Sequence, residues 1–229
     1  MANVHWEVES SKSVGFTRAR DFAIKSCNSF AKHVDQNNFK RVFDSINSLV
    51  VALESPIRGC KSNFHILTVN GYAQVPISFS EDINAGIYNY LSTFLIKYIP
   101  DFNGIWISFR KVKKLDSLAR LNHNAEILSF SISVRALVYI PQLGIKAYGQ
   151  VSLVSMSRIT VLCYGMFNTI VSDIKQKCYI NKGDIVSFNI QKISPQNDFV
   201  TLFATKLKVC KSPSPQSDYN QLWVRPWLH

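Results

Sequence analysis

Five histidines and five cysteines are the residues of this chain best suited to metal binding or nucleophilic chemistry. Their spacing argues against both. His5, His33, His65, His123 and His229 are scattered, with no ligand-like spacing and no nucleophile motif beside them. Cys27, Cys60, Cys163, Cys178 and Cys210 are odd in number and form no C-x-x-C pair, so neither a disulfide framework nor a zinc site is expected. No phosphate-cradling G-x-x-x-x-G-K-[ST] or G-x-G-x-x-G occurs, and Glu81 and Asp82 read as helix-start residues near a favourable dipole. No catalytic residue, cofactor or metal is therefore expected. The composition instead favours polyanion binding. The formal net charge is +11, and more than half of the excess lies over residues 141–229, which attracts nucleic acid or acidic protein surfaces through its field and through counterion release. In that region Lys146, Tyr148, Arg158, Lys175, Lys177, Phe188 and Lys192 supply cations for phosphates and rings for bases, each stacked base contributing about 1–3 kcal/mol. A plainer reading stays open, in which Tyr148 and Phe188 alternate into a core and the lysines form a solvated rim.

Strands must position these side chains. The spacing predicts an α+β chain: an N-terminal helical extension over 1–62, a small α+β domain over 63–140, a five-stranded barrel of the OB type over 141–211, and a tail over 212–229. Residues 1–20 are polar and without periodicity, and read as a flexible or partner-ordered arm. Phe22, Ala23, Cys27, Phe30, Ala31 and Val34, then Phe39, Val42, Phe43, Ile46, Leu49, Val50 and Leu53, recur at helical steps and predict two amphipathic helices, the second stopped by Pro56 and Gly59. A strand follows from Phe64 to Pro76. A helix capped by Asp82 is predicted to run through Ile87, Tyr90, Leu91, Phe94, Leu95 and Tyr98 to Pro100. Gly104–Phe109 reads as a short strand, Arg110–Lys114 as a basic turn, and 127–140 as one long strand.

Five strands are predicted over 145–154, 158–164, 167–171, 185–193 and 199–207, with 181–184 and 194–198 as turns. Gly149, in the middle of the first, suits the sharp corner of a small barrel. The Ser/Pro-rich tail with Trp223 and Trp227 reads as a peptide that docks on an apolar surface. No run of about 18 apolar residues could span a bilayer, and the N-terminus resembles neither a signal nor a transit peptide, so a reducing, intracellular compartment is expected.

Several ordered patches carry a resemblance over 64–207. They are the strand leading to Pro76, then Gly86-Ile87, Leu91, Leu95, Lys97-Tyr98 and Gly104-Ile105-Trp106-Ile107-Ser108-Phe109, followed by Ala119-Arg120-Leu121. Tyr139-Ile140-Pro141-Gln142-Leu143-Gly144 then leads into Gly149-Gln150-Val151. The most discriminating stretch is Ser157-Arg158-Ile159-Thr160-Val161-Leu162 followed by Phe167-Asn168-Thr169-Ile170. Together these resemble the tip-plus-OB stalk subunits of multisubunit RNA polymerases, most closely the stalk subunit family of eukaryotic RNA polymerase I. In those members a Ser-His-Ile-Gly-Leu-Leu run precedes Phe-Asn-x-Ser-Ile, and here Arg158 and Thr160 replace the His and Gly.

The resemblance implies a non-catalytic stalk subunit in the nucleus and nucleolus. Its implied partners are the RNA polymerase I core subunits, a small helical stalk partner, the polymerase I initiation factor for ribosomal RNA genes, and nascent single-stranded RNA near the exit path. Pro76, Gly104, Trp106, Arg110, Lys111, Lys113 and Lys114 are the candidate subunit contacts, the basic cluster among them reading either as a solvated loop or as a contact for an acidic patch on the polymerase core. Helices 21–54 would pack in cis, or else stand in for or bind the small partner. Two alternatives remain: a free OB-fold RNA-binding protein, and the stalk subunit of another nuclear polymerase.

Overall fold

A computed structural model describes residues 5–33, 40–122, 126–155, 157–172, 180–196 and 199–211. The order is β1 (Glu7–Val14), α1 (Phe16–Phe30), α2 (Lys40–Ala52), β2 (Phe64–Pro76), α3 (Ile83–Ser92), β3 (Lys97–Ile99), β4 (Gly104–Lys114), β5 (Arg120–Asn122) and β6 (Ile127–Tyr139). Then come β7 (Lys146–Val154), β8 (Ile159–Cys163), β9 (Phe167–Val171), β10 (Ile185–Gln196) and β11 (Phe199–Lys211). The chain is thus α+β with a closed five-stranded barrel in its C-terminal region. No helix among the described residues is long and apolar enough to cross a membrane.

The first sheet runs β1-β2-β6-β4-β3, with β5 on β6. Alternate residues of a strand face opposite sides, and this sheet is covered on both. Phe64, Ile66, Ile105, Leu137 and Tyr139 share an interior with residues of α1 and α2. Leu67, Val69, Val75, Val134 and Val138 share the other with Ile87 and Leu91 of α3. Two-sided burial explains why Ala136–Tyr139 is an unbroken apolar run. Asp82 caps α3 as its position predicts, its carboxylate accepting the Ala85 N–H at 2.9 Å.

Four local expectations are corrected. Of the stretch 1–20, the described residues 5–20 form no loose arm: β1 pairs antiparallel with β2, Lys12 opposite Ile66 and Val14 opposite Phe64. Its sequence shows no period because nearly every side chain of this edge strand is exposed, and the backbone ladder holds it together with Trp6, only 2% exposed. The third helix ends at Ser92, well before Pro100. The Ser92 hydroxyl donates to Tyr88 O at 2.8 Å and Thr93 Oγ1 to Tyr90 O at 2.7 Å, spending last-turn carbonyls on side chains, and Ile96 then turns left-handed at φ 64°. Arg110–Lys114 is no turn but the second half of β4, bulged where Lys111 has φ 56° and the register shifts between Arg110 and Lys113. Ser194–Gln196 likewise belongs to β10. Val34, Phe39, His123, the turn residues Asn197 and Asp198, and the tail with its tryptophans lie outside the described residues.

The barrel closes as β7-β8-β9-β11-β10 and back to β7. β9 and β11 pair in parallel and the other neighbours antiparallel. At Gly149 a Cβ would lie 2.3 Å from Leu162 O and 2.8 Å from Cys163 Cα, so two backbones meet there with no room for a side chain.

An aromatic seam joins sheet to barrel. Phe64 and Tyr139 of the sheet are 5.4 and 5.5 Å from Tyr164, Tyr139 stacks on Phe167 at 4.8 Å, and Tyr148 meets Tyr164 edge-on at 4.8 Å. Phe16 of α1 closes the group, 5.9 Å from both Tyr148 and Tyr164. The Tyr148 hydroxyl donates to Ala52 O at 2.9 Å, tying β7 to the end of α2. Burial pushes the hydroxyls of Tyr139 and Tyr164 well above the usual phenol range, so both stay neutral. Helices, sheet face and barrel thereby share one apolar interior.

This interior sets cysteine reactivity. Burial pushes Cys27 up to about 12 and raises Cys163 as well, whereas Cys210 is exposed. Among the cysteines of the described residues, alkylation of the native protein at about pH 8, where reaction follows thiolate fraction and access, should modify Cys210 first. Cys27 and Cys163 should react only after denaturation. Peptide mass spectrometry reads the order, and early labelling of Cys163 would mean that the seam opens.

Candidate functional site

The barrel candidates divide by burial. Tyr148 and Phe188 are at most 1% exposed. Each points inward on its strand, Tyr148 into the aromatic seam and Phe188 into the same interior, so neither offers a ring face to a base. Both are withdrawn as stacking residues. Lys146 is half-buried on β7, and its charge reaches the thiol of Cys60. Arg158 is exposed in a tight connection between β7 and β8, where the Ser155 hydroxyl donates to Arg158 O at 2.9 Å. Lys192 is exposed on β10 with its ammonium 5.8 Å from the Phe203 ring. Lys175 and Lys177 lie outside the described residues.

The sequence reading missed an aromatic that the barrel exposes among the described residues. Phe199, 68% exposed, opens β11. Along the same strand Lys206, Lys208 and Lys211 are exposed, with half-buried Leu207 and Val209 between them. The alternation Lys206-Leu207-Lys208-Val209 was the available signal, lost by ending the strand at Leu207. Together with Lys192 and Phe203, these residues put cations and a free ring on the β10–β11 hairpin, the combination that single-stranded nucleic acid uses.

The subunit-contact candidates divide in the same way. Gly104 and Trp106 are buried. A Cβ on Gly104 would lie 2.5 Å from Val138 Cγ1, and Trp106 packs against Trp6 at 5.0 Å, Phe102 at 6.0 Å and Phe94 at 6.1 Å. Both serve the interior and are withdrawn as surface contacts. Pro76 is exposed at the end of β2. Lys111, Lys113 and Lys114 are exposed on β4, the ammonium of Lys114 standing 5.8 Å from the Phe130 ring. Arg110 is half-buried, its guanidinium 5.1 Å from the centre of the Phe22 ring.

A basic barrel fused through an aromatic seam to a two-sided sheet, with exposed lysines beside exposed Phe199, has the make-up of a binding or assembly module. Among the described residues no group of three His, Cys, Asp or Glu could hold a metal ion. The comparisons with known proteins point to one assembly. The chain is similar to the DNA-directed RNA polymerase I subunit rpa43 of Schizosaccharomyces pombe, 27% identical over 101 residues that cover 44% of this chain and 58% of that protein. It is also similar to the "Probable DNA-directed RNA polymerase I subunit RPA43" of Dictyostelium discoideum, 26% identical over 120 residues, 52% of this chain and 34% of that protein. The matched stretches thus span less than two thirds of either relative. No family model matches the chain.

Proposed function

We propose that this chain is a non-catalytic stalk subunit of nuclear RNA polymerase I, acting in the nucleolus in the transcription of ribosomal RNA genes. The observation that carries the proposal is its similarity to two RNA polymerase I subunits. The sheet followed by a closed barrel agrees with the tip-plus-OB plan. The parallel β9–β11 pair and the corner at Gly149 support an OB barrel over 141–211, with the tip over 63–140.

In this reading the sheet anchors the stalk to the polymerase core, through Pro76 and the lysines of β4. The barrel lies near the RNA exit path and presents the β10–β11 hairpin, and the same subunit receives the initiation factor. The N-terminal helices form an extension that replaces a small helical partner: α1 and α2 bury Phe22, Ile46, Leu49 and Val50 in cis. Exposed Phe199 keeps a second reading in play, a free OB-fold RNA-binding protein.

Depletion of the chain followed by pulse-labelling of new RNA separates the two. Synthesis of precursor ribosomal RNA should collapse while messenger RNA synthesis continues. Unchanged precursor synthesis would overturn the polymerase reading.

A further inference from the structure

The α1 side of the sheet holds a cleft of about 220 Å³ that the polymerase reading does not use. Arg18 and Lys25 reach it from one flank of α1, Arg110 from β4 and Arg135 from β6, with Asp21 the single carboxylate on its wall among the described residues. Arg110 and Arg135 are directly opposite each other in the strand register. Like charges in that relation destabilise a sheet, yet none of the four cations has a carboxylate within 4.0 Å among the described residues. Both arginines are half-buried, so water screens them incompletely, and the Phe22 ring holds one guanidinium in place. Lys12, opposite Ile66, extends the same face beyond the cleft.

We infer that this cleft is a docking site for an acidic segment of a protein partner, rich in aspartate and glutamate. Charge complementarity sets the sign of the occupant: four cations and one carboxylate line the cleft among the described residues. The strip runs from α1 across three strands and suits a run of carboxylates, each able to take a two-pronged bond from an arginine. RNA fits poorly, because among the described residues the only ring at the cleft is Phe22, 4% exposed and covered by Arg110, and single-stranded binding relies on open aromatic platforms. The chain's own residues 212–229 contain one Asp and one Arg and do not match the charge.

Fluorescence anisotropy on the full chain tests the inference, with a labelled Glu/Asp-rich peptide of about twelve residues. Saturable binding is expected, weakened at least about tenfold by Arg110→Gln with Arg135→Gln. A control pair with the same charge loss outside both basic surfaces, exposed Lys40→Gln with Lys182→Gln, should stay within about twofold. Thermal melts establish that each variant is folded. If the arginine pair is not, Arg18→Gln with Lys25→Gln, on an exposed flank, carries the same expectation. No saturable binding, equal weakening by both pairs, or cleft variants that abolish single-stranded RNA binding while sparing the peptide would each overturn the site.

Discussion

Replacing Trp6 with alanine should destabilise the chain by about 3–5 kcal/mol, the usual cost of deleting a buried tryptophan. Its ring lies 5.0 Å from Trp106 and 5.5 Å from Phe94, edge-on to both. Its backbone N–H donates to the Asp101 carboxylate at 2.6 Å. Gly71 leaves room for the ring, since a Cβ there would lie 2.6 Å from it. The cavity opens between the start of β1 and the strands it covers, so the ladder to β2 should loosen with it. Urea denaturation of the two proteins measures the loss. A change below about 1 kcal/mol, the size of an ordinary surface effect, would mean that β1 lies outside the cooperative unit.

Gly149→Val should be more damaging still, at about 4 kcal/mol or more, a range reached only by a few severe mechanisms. The obstructing atoms are the Leu162 carbonyl and the Cys163 Cα, which cannot rotate aside as a side-chain tip can. The strand must move, and with it the β7–β8 ladder that closes the barrel. Gly144→Ala provides the contrast. Gly144 sits at φ 75°, and a Cβ there would meet nothing within 4 Å, so its cost is backbone strain alone, about 1–2 kcal/mol. Solubility on expression and the thermal midpoint separate the variants, and a stable, soluble Gly149→Val protein would refute the close approach.

Elements that carry their own period were legible in the sequence. β2, β6 and the five barrel strands alternate or run apolar, α2 repeats at helical steps, and Asp82 marks the cap of α3. What escaped lacked such a signature. β1 is held by backbone pairing and one tryptophan outside the strand, which an exposed edge does not advertise. The basic run at Arg110–Lys114 suggested a turn because lysines seldom fill a strand, but a bulge at Lys111 lets β4 carry them at the sheet's open end.

Site residues followed the same logic. Residue type pointed to Tyr148 and Phe188 as stacking rings, and the resemblance to Trp106 as a subunit contact, yet a large ring on a strand of a two-sided core is buried by default. Arg135 was passed over because one arginine in a long apolar strand looks incidental. Its partner across the sheet, Arg110, comes from 25 positions earlier, and only the register brings the two together.

Membership of the RNA polymerase I assembly is decided by quantitative mass spectrometry of complexes purified through a tag on this chain at its native expression level. The large subunits of RNA polymerase I should be recovered in equal amount to the bait. Recovery of the chain alone, or with the large subunits of a different polymerase, would refute that membership.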